Sequence, residues 1–205
     1  PQDFGAHADF RTEWWYLTGW LGDRQRPLGF QLTFFRSRTD VDPANPSAFA
    51  ARQLVIAHAA IADPARGALL LDERIARAGF GLAEAAGGDT DVRLSGWRLF
   101  RDAETDTYHA QIAAGDFTLG FKAVAGAPPW LQGEQGLSRK GPDPLQASYY
   151  YSRPQLKVQA QLSRGGKVED LAGIAWLDHE WSSAALAPDA VGWDWVGMNL
   201  DDGSA

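Results

Sequence analysis

Alternating hydrophobicity predicts an all-β protein, an antiparallel barrel or sandwich. This expectation depends on three features: apolar and polar residues alternate along most segments, helical spacing is scarce, and Gly, Asp or Pro mark short turns between the segments. The alternation is clearest at residues 155–162, where four apolar side chains point one way and three glutamines and a lysine point the other. Because the chain has 205 residues, it is long enough to enclose one large core or two small ones.

Segments rich in Trp, Phe, Tyr, Val and Ile follow one another along the chain, as strands should. We predict strands at residues 12–22, 27–38, 52–62, 68–78, 92–101, 107–113, 117–123, 147–153, 155–162, 170–181 and 193–200. Residues 68–78 fit either a helical turn or a bent strand, and a strand is predicted. Two stretches rich in Pro and Gly, 39–51 and 125–147, are predicted to be long loops, which in a β-protein are lids, binding loops or flexible insertions.

The end of the chain has the pattern of an unfinished hairpin. Residues 193–200 form a predicted aromatic strand and Asp202-Gly203 is a turn signal, yet only two residues follow. Since an open apolar edge promotes aggregation, we expect the natural protein to continue with at least one more strand and a second domain.

The composition argues against several classes of protein. The formal net charge is −7 and the basic residues are scattered, unlike those of a nucleic-acid-binding protein. No apolar run reaches the ~18 residues of a membrane span, and the chain has no Walker loop, no G-x-S-x-G elbow and no complete dinucleotide-binding motif. We therefore expect no cofactor, no nucleic-acid partner and no membrane-spanning segment. A periplasmic or secreted location is favoured over a cytoplasmic one.

A histidine beside a tryptophan is the first candidate site. In a strand over residues 170–181, His179 and Trp181 lie on one face, about 6.5–7 Å apart, and Asp178 lies on the other. A protonated imidazole can donate a proton to an electron-rich substrate, and an indole can stabilise the resulting carbocation. The alternative is that Trp181 fills the core and that His179 makes a hydrogen bond to a backbone carbonyl.

Aromatic residues and one carboxylate form a second group of candidates. Glu13 and Trp15 share a strand face, and Glu13 is expected to be ionised by pairing with Arg11. The alternative is a protonated acid beside the indoles. Other aromatic residues that share one face and can line a cavity are Tyr149 and Tyr151, and Trp193 and Trp195.

The histidines provide no metal-binding motif. His58 shares a strand face with apolar residues and is predicted to be a core or lumen histidine, whereas His7 and His109 are expected to be solvated near strand ends. His58 and His7 could join His179 and Glu13 in a zinc site. No local ligand spacing supports such a site, and we predict no metal.

Four segments resemble the AttH / carotenoid 1,2-hydratase (CrtC) family, in the family's order. They are GAHADFRTEWWY at residues 5–16, GFQLTFFR at 29–36, SYYYS at 148–152 and GIAWLDHEW at 173–181. The resemblance extends from about Pro1 to the end of the chain. It implies that residues 1–205 are the family's N-terminal lipocalin-like domain, a β-barrel with an apolar cavity, which a second β-barrel domain follows.

The resemblance also implies a function. The hydratase branch adds water across a terminal carbon–carbon double bond of an acyclic carotenoid without a redox cofactor. Its proposed acid region matches the segment that contains Asp178, His179 and Trp181, which implies a hydro-lyase in which His179 protonates the alkene. The other active-site residues of the hydratases, a Tyr and an Asp, would lie beyond Ala205.

The predicted partner is an apolar small molecule, a carotenoid or lipid. The residues expected to bind it are Glu13, Trp15, Tyr149, Tyr151, Trp193, Trp195 and His58. Three alternatives to a hydratase stay open: a non-catalytic lipocalin-like carrier, a secreted hydrolase-like protein of unknown reaction, and a scaffold for a partner domain.

Overall fold

The protein is one antiparallel sheet rolled into a nearly closed barrel. The computed structural model describes residues 3–184, 187 and 189–205. The strands are β1 Thr12–Leu21, β2 Leu28–Arg38, β3 Gln53–Asp63, β4 Ala68–Arg77, β5 Ala83–Ala85, β6 Asp91–Leu94, β7 Trp97–Asp102, β8 Thr107–Ala113, β9 Phe117–Val124, β10 Trp130–Leu131, β11 Leu137–Arg139, β12 Ala147–Arg164 and β13 Lys167–Ser182. The described residues include no helix, which confirms the predicted all-β class. It follows that they contain no helix long and apolar enough to cross a membrane.

The strands follow the order β4-β3-β2-β1-β13-β12-β9-β8-β7-β6-β5 around the barrel, and the short β10 and β11 pair with β12. Hydrogen bonds from side chains of β4, one end of this path, reach the part of the barrel near its other end. The guanidinium of Arg74 on β4 donates to the carbonyls of Ser95 and Ala113, and the backbone N–H of Gly115 donates to Asp72 at 3.1 Å. These hydrogen bonds join β4 to the turn before β7, to the end of β8 and to the turn that follows β8.

The interior of the barrel is filled by apolar side chains from every long strand. The largest apolar and aromatic side chains that are fully buried are Trp15, Trp97, Tyr108, Phe34, Leu17, Leu21, Leu32, Ile61, Leu94, Leu99 and Leu119. Burying one side chain of this kind contributes about 1.5–3 kcal/mol. The interior is therefore the main source of stability.

Several strand predictions are confirmed and others need correction. Residues 68–78 form strand β4, as predicted. The single strand predicted at 92–101 is wrong, because Ser95 and Gly96, with φ values of 48° and 88°, form a tight turn between β6 and β7. The two strands predicted between 147 and 162 are one strand, β12, with a bulge between Arg153 and Leu156.

The two predicted loops differ. Residues 39–51 are irregular, as expected, whereas the stretch 125–147 contains the short strands β10 and β11. Both strands pair with β12, so much of this loop is held against the barrel.

The strand predicted at residues 193–200 is wrong. The segment has no regular structure, and the side chain of Trp195 packs against the outside of the barrel. The ring of Trp195 lies 5.4 Å from that of Tyr16 and 6.1 Å from that of Trp176. A turn does form at Asp202-Gly203, where Gly203 has a φ of 87°. Aromatic content alone therefore did not distinguish a strand from a segment that packs through its side chains.

Candidate functional site

Strand β13 separates two groups of polar side chains, one on each face of the sheet. It pairs with β1 on one side and β12 on the other, and Trp15 of β1 lies directly opposite His179. Because side chains alternate along a strand, His179 and Trp181 share one face, as the spacing predicts, and that face is the inside of the barrel. Asp178 and Glu180 lie on the outer face, where they line a pocket.

The inner face holds a hydrogen-bonded group that we call the inner cluster: His7, Glu13, Arg36, Tyr151 and His179. Glu13 is at its centre and has no solvent exposure. Its Oε1 accepts hydrogen bonds from His7 Nδ1 and His179 Nε2, and its Oε2 accepts from Arg36 Nε and the backbone N–H of His7, all at 2.8 Å. Burial raises the pKa of Glu13, but these hydrogen bonds outweigh it and lower the pKa to about 2. Glu13 is therefore an ionised and fully paired carboxylate.

His179 is held neutral inside this cluster. Burial lowers the pKa of His179 by more than the adjacent Glu13 raises it. Since an ionised carboxylate can only accept, Nε2 of His179 bears the proton, and Nδ1 accepts a hydrogen bond from the Tyr151 hydroxyl at 3.0 Å. The ring also stacks on Trp15, with the centroids 4.7 Å apart. Both ring nitrogens are thus used within the protein.

Two expectations about these residues are wrong. Glu13 pairs with Arg36, its neighbour in the β1–β2 register, and not with Arg11, which is exposed. His7 is mostly buried rather than solvated, because its ring stacks on Trp181 with a centroid distance of 3.8 Å. The segment before β1 folds back over the end of the barrel, which strand periodicity does not reveal.

The inner cluster contains three atoms at metal-ligand spacing. His7 Nδ1, Glu13 Oε1 and His179 Nε2 lie within 4.8 Å of one another. His58, the fourth residue of the zinc hypothesis, is on the outer face of β3. The guanidinium of Arg36 already neutralises Glu13, so a divalent cation there would be a buried charge without a counter-ion in the cluster. We interpret the cluster as a hydrogen-bonded ion pair with two histidine donors.

The inner cluster makes the free energy of unfolding depend on pH. The pKa of Glu13 is about 2 when folded and 4.5 ordinarily. The cluster's contribution of about 3 kcal/mol is therefore present above pH 4.5 and is lost as the pH falls towards 2. Urea denaturation at a series of pH values should show that the free energy of unfolding falls less towards low pH for Glu13→Gln than for the wild type. The exposed Glu104→Gln should follow the wild type, and identical curves for Glu13→Gln and the wild type would contradict this assignment.

The outer face of the same strands forms an aromatic pocket of about 700 Å³, which we call the outer pocket. Its floor follows the β1–β13 register, with Tyr16 opposite Asp178 and Trp14 opposite Glu180. The residues that line it are Arg11, Thr12, Trp14, Tyr16, Gln31, Thr33, Phe35, Ser37, Tyr150, Asp178, Glu180, Ser183, Trp193 and Trp195. This volume is in the usual range for a small-molecule site.

Asp178 is a buried carboxyl group in the floor of the outer pocket. Its Oδ1 accepts hydrogen bonds from the Ser152 hydroxyl at 2.5 Å and from the indole N–H of Trp176 at 2.7 Å. Burial raises the pKa of Asp178, and the charge of Glu180 raises it further. Unlike Glu13, Asp178 has no salt bridge to any described residue. The hydrogen bonds from Ser152 and Trp176 lower the pKa, but burial outweighs them, and a raised pKa suits a proton donor.

Glu180, two residues further along the same face, has different surroundings. Lys140 Nζ lies 3.0 Å from its Oε1, and the Ser148 hydroxyl donates to the same oxygen. Nearby, the Tyr150 hydroxyl accepts a hydrogen bond from the indole N–H of Trp195 at 3.2 Å. Burial raises the pKa of Tyr150, so its hydroxyl stays protonated. The outer pocket thus contains one carboxyl group without a cationic partner and one in an ion pair.

The predicted site residues are distributed over several places. The barrel interior contains Glu13, Trp15, Tyr151, His179 and Trp181. The outer pocket is lined by Asp178, Trp193 and Trp195. Tyr149 is half-exposed at the barrel end, where its ring stacks on Trp181 with the centroids 5.8 Å apart.

The prediction that His58 is a core or lumen histidine is wrong. Its side chain is 39% exposed on the outer face of β3, with Nε2 3.9 Å from Glu73 and its ring 5.5 Å from that of Phe35. Strand β3 has apolar residues on both faces, so alternation could not show which face is internal.

The residues of the outer pocket that sequence reasoning missed include Trp14, Tyr16, Phe35 and Glu180. A signal was present, because the two aromatic residues of β1 are two positions apart, as are the two acidic residues of β13, so each pair shares one face of its strand. What the sequence does not show is that β1 and β13 are neighbours in this register.

Comparison with known proteins places the chain in a family. The AttH-like family model matches residues 1–205. The crystal structure of an AttH protein from Nitrosomonas europaea is 52% identical and has a TM-score of 0.89, and the match covers 99% of this chain and 61% of that one. The present chain therefore spans about three fifths of that relative's length. No curated protein matches the chain significantly.

Two more distant structures share the fold. Kievitone hydratase from Nectria haematococca is 12% identical with a TM-score of 0.63, and the match covers 91% of this chain and 52% of that one. CghA with Sch210972 is 14% identical with a TM-score of 0.53, and the match covers 86% of this chain and 47% of that one. At these identities the likeness concerns the fold alone. The family match and the relative from Nitrosomonas europaea together show that the chain belongs to the AttH-like family.

Proposed function

We propose that the outer pocket is the active site of a hydratase-like enzyme that adds water to a carbon–carbon double bond of an apolar isoprenoid, such as a carotenoid. Asp178 is the proton donor. The observation that most directly supports this proposal is a buried carboxyl group with a raised pKa in the floor of an aromatic pocket. A hydratase among the proteins that share the fold is consistent with this reaction class.

The lining of the pocket suits an apolar, unsaturated substrate. Each CH₂ group that enters it contributes about 0.8 kcal/mol. Protonation of a double bond produces a carbocation, and an indole face stabilises a desolvated cation by about 2 kcal/mol. Trp14 and Trp195 line the same pocket as Asp178 and can provide such faces.

Asp178 fits the role of acid better than its neighbour His179. The imidazole of His179 is fully buried on the inner face, and its two nitrogens are bonded to Glu13 and Tyr151. Asp178 lines the pocket, and burial raises the pKa of its carboxyl group in the direction that a proton donor needs. We thus keep the hydratase hypothesis from the sequence and assign the role of proton donor to Asp178 instead of His179.

The reaction needs only the substrate, water and one proton transfer. The carboxyl O–H of Asp178 protonates one alkene carbon, and the π electron pair forms the new C–H bond. Water then adds to the resulting carbocation, and loss of a proton from the oxygen gives an alcohol. A proton from solvent restores Asp178.

Asp178→Asn tests this assignment in the naturally encoded full-length protein. The amide can still accept hydrogen bonds from Ser152 and Trp176 but cannot donate an acidic proton. We expect turnover of lycopene to fall by about 10²–10⁴-fold, while quenching of tryptophan fluorescence by the bound polyene is retained.

Asp170→Asn is the matched control, since it alters an outward carboxylate of β13 outside the pocket and should leave turnover unchanged. Unimpaired turnover by Asp178→Asn, together with loss of turnover in folded His179→Gln, would return the acid role to the histidine. If polyenes or esters quench the tryptophan fluorescence of the wild type but none of them is converted, the result would support the carrier function instead.

A further inference from the structure

A second carboxylate lies beside the proposed acid on the floor of the outer pocket. Asp178 and Glu180 are two residues apart on one face of β13, which places them about 6.5–7 Å apart. Both line the pocket, and both are almost fully buried. The pocket of about 700 Å³ that both residues line has room for a water molecule and one end of a double bond.

The contacts of Glu180 engage one of its carboxylate oxygens and leave the other available. Lys140 Nζ, at 3.0 Å, and the Ser148 hydroxyl both contact Oε1. No described residue donates a hydrogen bond to Oε2, which is therefore able to accept one from water.

We infer that Glu180 is a catalytic residue that binds the attacking water and accepts its proton, in the reaction that Asp178 begins. This inference rests on the proposed function. One carboxyl group delivers a proton and the other, ionised, receives one, which is the division of roles that two neighbouring carboxyl groups in different surroundings permit.

The step balances without any further reactant. An oxygen lone pair of water forms the C–O bond to the carbocation, and the O–H electron pair stays on oxygen as the proton passes to Glu180. The oxonium ion is a far stronger acid than a carboxylic acid, so it gives its proton readily to a carboxylate. Exchange with solvent then removes the proton from Glu180 and returns one to Asp178.

Isotope exchange separates the two roles. In D₂O, reversible protonation by Asp178 introduces deuterium into recovered lycopene, while capture by water produces alcohol. Glu180→Gln keeps a hydrogen-bond acceptor for Ser148 but takes up no proton. We expect this variant to form alcohol about 100-fold more slowly and to retain deuterium uptake within about threefold, whereas Asp178→Asn should lose both. Mass spectrometry of the alcohol and of the recovered polyene measures both quantities.

Each result has a defined meaning. Alcohol formation by Glu180→Gln at the wild-type rate would overturn the role of Glu180 and leave the hydratase proposal intact. Equal loss of alcohol and of deuterium uptake in Glu180→Gln, with folding verified by circular dichroism, would also overturn it, because a water-binding residue acts after protonation. A wild-type protein that yields neither product nor exchange would overturn the proposed function, and this inference with it.

Discussion

Replacement of Arg36 by methionine is expected to lower the free energy of unfolding by about 3–5 kcal/mol, because it leaves the carboxylate of Glu13 buried without its cation. Arg36 is nearly without exposure and donates to Glu13 at 2.8 Å. It also donates to the carbonyls of His7 and Phe10 at 2.8 and 3.0 Å, so the loss affects the segment that covers the barrel end. Urea denaturation measures the change.

A double-mutant cycle distinguishes charge pairing from simple loss of packing. Glu13→Gln removes the unpaired charge, so the double variant with Arg36→Met should be more stable than the sum of the single changes predicts, by about 0.5–3 kcal/mol. Arg38→Met on the same strand is the control, since Arg38 is exposed and donates to the carbonyl of Asp9. Strictly additive changes would show that the ion pair does not stabilise the fold.

Replacement of Gly173 by alanine is expected to destabilise the protein by about 3 kcal/mol or more, because overpacking against a fixed backbone cannot be relieved by a side-chain rotation. A Cβ atom at this position would lie 1.9 Å from the carbonyl oxygen of Trp20 and 3.0 Å from the Cα of Leu21. Strands β1 and β13 would have to move apart. Those two strands form the floor of the outer pocket, so polyene-induced quenching should weaken together with the melting temperature.

Gly120→Ala is the matched control for this prediction. Gly120 is also a strand glycine, but a Cβ there would meet its nearest neighbour, the carbonyl oxygen of Ala110, at an ordinary 3.9 Å. Its melting temperature should stay close to that of the wild type, since a strand alanine differs from glycine by about 0.5–1 kcal/mol. If both variants melt at the same temperature, the close approach at Gly173 does not limit packing.

Alternation along single strands was the most informative feature of the sequence. It correctly placed His179 and Trp181 on one face of β13 and Asp178 on the other, because strand pleating is a local property. It failed for β3, where both faces have apolar residues and His58 was assigned to the wrong one. It also failed for residues 193–200, where the indole of Trp195 packs against a distant surface of the barrel.

The partners of the charged groups could not be derived from spacing. Glu13 lies 23 residues from Arg36 and 166 residues from His179, and the hydrogen bonds among them depend on the registers of β1 with β2 and β13. The nearer Arg11 was the expected partner and is instead exposed. Sequence separation thus says little about which buried charges meet in a barrel.

Local residue order is enough to specify an all-β chain, most of its strands and the opposite orientation of neighbouring side chains at 178–181. Which of the two faces borders a pocket was settled by packing between distant segments. Side chains from all the long strands fill the interior, while Trp193 and Trp195 stand over the outer face and leave about 700 Å³ between them and the sheet. The physical reason is that a cavity is the space between elements, and no single strand encodes its neighbours.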